Sequence, residues 1–161
     1  TELMNAISTT VLVALAAPFI LFGFTGDVRF LIIFIGGLVC IALTKFWHKV
    51  VFAGRQEWWA KRPSGACDCD ALNGGGPCED RAGFPSGHLT STAYFWAAMA
   101  MTFKGWWRQI AQVGTVHVVL MAASRIVKKC HNDVQVLAGI VQGIVVALVV
   151  VGVMHFAVFR R

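Results

Sequence analysis

Near the middle of the chain, residues 83–91 read GFPSGHLTS, a Pro-Ser-Gly-His turn that leads into a long apolar run. A turn of this kind opening a helix offers an anion three things: unpaired backbone N–H groups, the positive end of the helix dipole, and the Ser86 hydroxyl. Gly87 would let the anion approach the backbone closely. Upstream, RQEWWAKRP supplies Arg55 and Arg62; downstream, SRIVKKCHND supplies Arg125 and His131. Arginine is a permanent cation whose planar donor fork matches phosphate. His88 and His131 are suited to serve as acid and nucleophile. Together these groups describe a site for phosphoryl transfer. Charge on the moving phosphoryl group must be clamped, and an imidazole nitrogen can carry it.

Such a site needs elements that bring the three stretches together. Of the 161 residues, 57% are hydrophobic and 14% charged, and the mean hydropathy is +0.68. That is more apolar than an ordinary soluble domain. The expected fold is an all-α integral membrane bundle of about five transmembrane helices, one domain over residues 1–161. Apolar runs cover 3–24, 28–54, 89–103, 108–123 and 134–159, against the roughly 20 residues a span requires. The first is read as a span and not as a cleaved leader, because no basic stretch precedes it. Gln109, Gln112, Thr115 and His117 make the fourth run amphipathic, so it is expected inside the bundle, away from lipid. Gly, Pro, Asn and Asp make residues 61–84 one long polar loop. Counting spans then puts three clusters on one membrane face: 55–63, 85–88 and 124–133.

The net charge is +6. In so apolar a protein that excess suits lipid headgroups or anionic ligands, and no nucleic-acid motif is visible, so nucleic acid is not an expected partner. Lys61, Lys128 and Lys129 flank the clusters. His48, His117 and His155 match no pattern and are read as packing or interface residues. Trp58, Trp59, Trp106 and Trp107 stand at ends of apolar runs, as an interfacial belt would have them.

Positive-inside counting does not choose a side. Arg29, Lys104, Arg108, Arg160 and Arg161 oppose Lys45, Lys49, Lys61, Arg81, Lys128 and Lys129. Four cysteines, Cys67, Cys69, Cys78 and Cys130, fall on the face of the clusters, an even number with connectivity open. At least one disulfide, and hence an exoplasmic or lumenal face, is expected. Zinc is disfavoured by the Cys-x-Cys spacing.

The three stretches also resemble, in order and spacing, the motifs of the type 2 phosphatidic acid phosphatase superfamily, which includes lipid phosphate phosphatases and vanadium haloperoxidases. RQEWWAKRP is similar to its basic-x6-Arg-Pro motif, with Arg55 where Lys is usual; FPSGH is the second motif; SRIVKKCH, followed by VLAG, is the third. The resemblance covers about residues 55–139. It implies that His131 attacks phosphorus and carries a phosphohistidine, and that His88 protonates the leaving group and then activates water. It further implies that Arg55, Arg62, Arg125, Ser86 and Gly87 hold the phosphate, with no metal or cofactor. The substrate it implies is a phosphorylated membrane lipid of the phosphatidate, phosphatidylglycerophosphate or polyprenyl diphosphate class. Six spans are usual in its membrane members; five are counted here.

One position departs from the pattern. The family carries an acid four residues after the nucleophilic histidine; here that residue is Gln135, and the nearest acid is Asp133. In a helix the i+4 side chain lies beneath the histidine and the i+2 side chain does not. Restoring the acid by Gln135→Asp is therefore expected to raise kcat with little change in KM. The departure also keeps a second reading open: a catalytically impaired relative, serving as a lipid-binding or structural subunit of a membrane assembly. Membrane lipids are expected partners on either reading, and a homo-oligomer or a larger membrane assembly is an open expectation.

Overall fold

The computed structural model describes residues 2–69, 76–79 and 81–158, with side chains to residue 156. Arg160 and Arg161, expected on the face away from the clusters, lie outside the described residues. Among the described residues, five α-helices account for the apolar runs: α1 (Glu2–Thr25), α2 (Val28–Phe46), α3 (Gly87–Thr102), α4 (Trp107–Val127) and α5 (Asp133–Val158). A wider π-helical turn, Trp47–Val51, extends α2. Among the described residues there are no strands, only isolated bridges Lys61–Ala82 and Cys67–Pro77. The protein is an all-α membrane bundle.

Among the described residues, four helical stretches are long and apolar enough to cross a membrane: Glu2–Thr25, Val28–Val51, Lys104–Val127 and Asp133–Phe156. The remaining helix, α3, has 16 residues, about 24 Å at 1.5 Å per residue. That is short of the ~30 Å hydrocarbon core. It has no need to face lipid, because it packs against all four of the others. Its composition explains why: Leu89, Thr90, Ser91, Thr92, Ala93 and Ala98 are all buried, and small side chains let neighbouring backbones approach. On α5, Gly139 and Gly143 complete the contact. A Cβ on Gly139 would stand 2.5 Å from the Ser86 carbonyl oxygen, and one on Gly143 would strike the Thr90 carbonyl. On the α2 side, the buried Tyr94 hydroxyl donates to the Ile33 carbonyl at 2.9 Å.

The expected interior position of α4 is corrected by this arrangement. Its Val113, Val116, Val119 and Leu120 are exposed, and α3 holds the centre instead. Of the polar groups that suggested burial, His117 and Thr115 find their partners at the edge of the bundle. Trp96 Nε1 donates to His117 Nδ1 at 2.9 Å. Because indole is only a donor, His117 must carry its proton on Nε2, which meets Thr10 Oγ1 at 2.7 Å. Thr10 passes its own proton to the Ile7 carbonyl at 2.6 Å. One histidine thus joins α1, α3 and α4 without central burial, and Thr115 donates back to the Ala111 carbonyl.

At the end away from the three clusters, the Arg29 guanidinium lies 4.7 Å from the Phe103 ring centroid. Phe30 stacks on the same ring. The opposite end gathers the starts of α1, α3 and α5, the end of α4, and the long loop.

Candidate active site

The loop reaches the helix ends through aromatic packing. Phe52, Trp59 and Phe84 meet edge-to-face in all three pairings, with centroids 5.3–5.5 Å apart. Trp59 is therefore an anchor for the FPSGH segment, while Trp58 is exposed as a belt residue would be. The Ala60 carbonyl accepts the N–H groups of Gly83 and Phe84, and Arg62 N–H donates to the Arg81 carbonyl at 3.1 Å. The two arms of the loop thus run antiparallel and bring Arg62, now buried, beside the turn that opens α3.

Phe84–Pro85 is a cis peptide bond. Ser86 is the N-cap of α3, yet its side chain makes no capping bond. The hydroxyl is fully buried and has no hydrogen-bond partner among the described residues. The first-turn N–H groups of Gly87 and His88 have no intrahelical acceptor. His48, read from sequence as a packing residue, contributes from the π-helical turn: its Nε2 lies 2.9 Å from the Pro85 carbonyl. Nothing in the sequence around His48 marks that contact.

The third cluster forms where α4 stops. Lys129, at φ 55°, takes the left-handed conformation of a helix terminator. The N–H groups of Cys130 and His131 then both return to the Arg125 carbonyl, at 2.9 and 3.3 Å. Asn132 and Gln135 form a reciprocal capping box on α5. Asn132 Oδ1 accepts from Gln135 N–H at 2.9 Å, and Gln135 Oε1 accepts from Asn132 N–H at 3.3 Å. Asn132 also donates to the Trp58 carbonyl. Its role was missed in the sequence, although an Asn-x-x-Gln signature before an apolar run is the readable sign of such a cap.

Gln135 ties the three clusters together. Its fully buried Nε2 donates to the carbonyls of Trp59, at 3.1 Å, and Lys61, at 2.7 Å. Two acceptors on one side fix which end of the amide is which. Oε1 therefore faces His131 Nδ1, at 3.1 Å. Its backbone carbonyl receives the Ser86 N–H at 3.0 Å. Gly83 leaves room for this crossing: a Cβ there would lie 2.7 Å from Gln135 Oε1 and 2.9 Å from Arg62 Cγ. Since an amide oxygen only accepts, His131 must hold its proton on Nδ1, which leaves the Nε2 lone pair for chemistry.

His131 is buried, and its proton affinity is pushed well below the ordinary histidine value. Burial is the main cause; the charges of Arg62, Arg125 and His88 add to it, and the Gln135 bond opposes them. The structure therefore brings Arg62, Arg125, His88, His131 and Gln135 into one group. It does not bring Asp133 or Arg55 into it. Asp133 is exposed and accepts its neighbour's N–H, from Val134 at 3.0 Å. Arg55 is exposed and pairs with Glu57 at 3.3 Å, and its charge is not among those acting on His131. Among the cysteines, Cys69 and Cys130 are disulfide-bonded, whereas Cys67 and Cys78 are free thiols.

With His131 as nucleophile, this depressed proton affinity gives the direction of the pH dependence. Such a histidine stays neutral, and so nucleophilic, to lower pH than usual. The acid limb of kcat/KM, which reports groups of the free enzyme, is expected below the ordinary histidine value of about 6.5. A limb above that value in the native protein would contradict the geometry around His131.

Two buried arginines and two histidines are thus gathered at one end of the helical bundle. The chain matches the PAP2 superfamily over residues 31–159, from early in α2 onward. It belongs to that superfamily, whose members are in general phosphatases, and this supports a phosphoric-ester hydrolase. No curated protein matches it, and no solved structure does.

Proposed function

We propose that the protein hydrolyses a lipid phosphomonoester or diphosphate through a phosphohistidine. The observation that carries this reading is the His131–Gln135 bond, which leaves His131 Nε2 unprotonated beside Arg62 and Arg125. In the first step the Nε2 lone pair attacks phosphorus, a P–N bond forms, and the P–O bond to the leaving group breaks. His88 gives its proton to the departing oxygen. In the second step His88 takes a proton from water, the hydroxide oxygen attacks phosphorus, and the P–N bond breaks to release phosphate. Arg62 and Arg125, the Ser86 hydroxyl and the Gly87 N–H hold the phosphate oxygens. Arg55, paired with Glu57 at the surface, joins them only on releasing that partner.

A lipid substrate suits a site at the membrane-facing ends of α3 and α5, with the cations Lys61, Lys128 and Lys129 around it. The Cys69–Cys130 bond supports an exoplasmic or lumenal face. The test is phosphate release from phosphatidate, phosphatidylglycerophosphate, a sphingoid phosphate and a polyprenyl diphosphate in mixed micelles. Release from at least one is expected. Release from none, with lipid binding retained, would favour the second reading, a lipid-binding or structural subunit. The observation that favours that reading is the neutral Gln135 in place of the family's acid.

A further inference from the structure

Arg125 takes part in the proposed chemistry, and its own side chain is held by an unusual set of bonds. Its guanidinium is fully buried. Nη1 donates to Ser8 Oγ on α1 at 3.1 Å, and Ser8 in turn meets Ser124 Oγ at 3.3 Å. Nη2 donates to the Cys69 carbonyl. Cys69 belongs to the long loop, and its sulfur is bonded to Cys130, 61 residues away. Cys130 immediately precedes His131, and its N–H returns to the Arg125 carbonyl. A closed circuit results: Arg125 side chain to Cys69, Cys69 to Cys130 through sulfur, and Cys130 to Arg125 backbone. Lys128 adds a flanking bond from Nζ to the Asp68 carbonyl at 3.0 Å.

We propose that the Cys69–Cys130 disulfide is a positioning element of the active site. It fixes the carbonyl that aims the Arg125 guanidinium and the backbone that presents His131. The inference rests on the phosphatase reading for its catalytic consequence, though not for its structural one. The bond itself is reducible: a dithiol reductant supplies two electrons and two protons, Cys69 and Cys130 become thiols, and the reductant closes its own disulfide. Once they separate, the loop carbonyl is held near Arg125 by hydrogen bonds alone. A misplacement on the order of 1 Å in a phosphate clamp costs about 100-fold in rate. Cys67 and Cys78 lie within the same long loop, and Cys78 packs in one buried cluster with Cys69 and Cys130. They could form substitute bridges, so the experiment needs a form that lacks them.

The experiment uses the full chain in detergent as Cys67→Ser/Cys78→Ser, oxidised, reduced anaerobically and freed of reductant, then reoxidised. Mass spectrometry verifies each state. Three quantities are read: kcat and KM on the best substrate of the lipid panel, inorganic phosphate affinity by calorimetry, and amide hydrogen exchange over residues 125–131. Reduction is expected to lower kcat about 10- to 100-fold, to weaken phosphate binding, and to speed exchange at Cys130 and His131. Reoxidation should restore all three, which mere unfolding of a damaged protein would not. Reduced protein with unchanged exchange would overturn the inference, whether or not a substrate has been found. A protein whose exchange speeds on reduction but whose oxidised form neither binds nor hydrolyses phosphate would instead sink the phosphatase reading and leave the positioning role standing.

Discussion

His131→Ala is expected to abolish phosphate release and, with it, any acid-labile phosphoenzyme. Gln135 Oε1 holds the Nδ1 proton, which leaves the Nε2 lone pair for the attack proposed above. Removing a nucleophile from a covalent mechanism lowers kcat by about 10⁶ where it has been dissected. His88→Ala should behave differently, because it removes the proposed proton donor and water activator. With a good leaving group such as an aryl phosphate, that variant should still accumulate phosphoenzyme and fail to discharge it. Rapid quench with acid and base stability tests on the trapped protein would check both. Full turnover in His131→Ala would end the phosphohistidine reading.

The second large effect concerns Gln135. Gln135→Leu keeps the volume and removes the acceptor, so the imidazole loses its orienter. The comparable loss in a serine protease costs about 10⁴ in kcat, and a drop of about 10²- to 10⁴-fold is expected here with KM little changed. Gln135→Asp, which the family pattern alone makes a gain of function, is now expected to be a loss. The carboxylate is one methylene shorter and has no N–H to give. The carbonyls of Trp59 and Lys61 would lose their donor, at about 1–3 kcal/mol for each one left buried and unpaired. Gln135→Glu preserves the reach. Its negative charge favours protonated His131, so the acid limb of kcat/KM should move to higher pH. A Gln135→Asp enzyme that is faster than the parent and melts no lower would refute the account of Gln135 as a neutral tie.

Much of this was legible in the chain. The Arg62, FPSGH and Ser-Arg-x5-His stretches, the five helices, the polar loop and the shared face of the three clusters all came from residue type, local order and span counting. The contact of Gln135 with His131 was foreseen as a helical i to i+4 pair, but His131 precedes α5, and the capping box between Asn132 and Gln135 is what turns the amide back to the imidazole. These are short-range facts, set by a few neighbouring residues or by the length needed to cross a bilayer.

What tertiary structure decided was every relation between distant segments. Apolar helices look alike in sequence, so nothing there made α3 the central one or placed α4 at the edge. That choice came from small residues meeting Gly139 and Gly143 at backbone distance. The grip of Ser8 on Arg125, the reach of Gln135 to the Lys61 carbonyl, and the choice of Cys130 as partner for Cys69 join residues 61 to 117 positions apart. Hydrogen bonds and sulfur bridges over such separations depend on which faces the helices present to one another. Packing fixes those faces, and composition and periodicity leave them open.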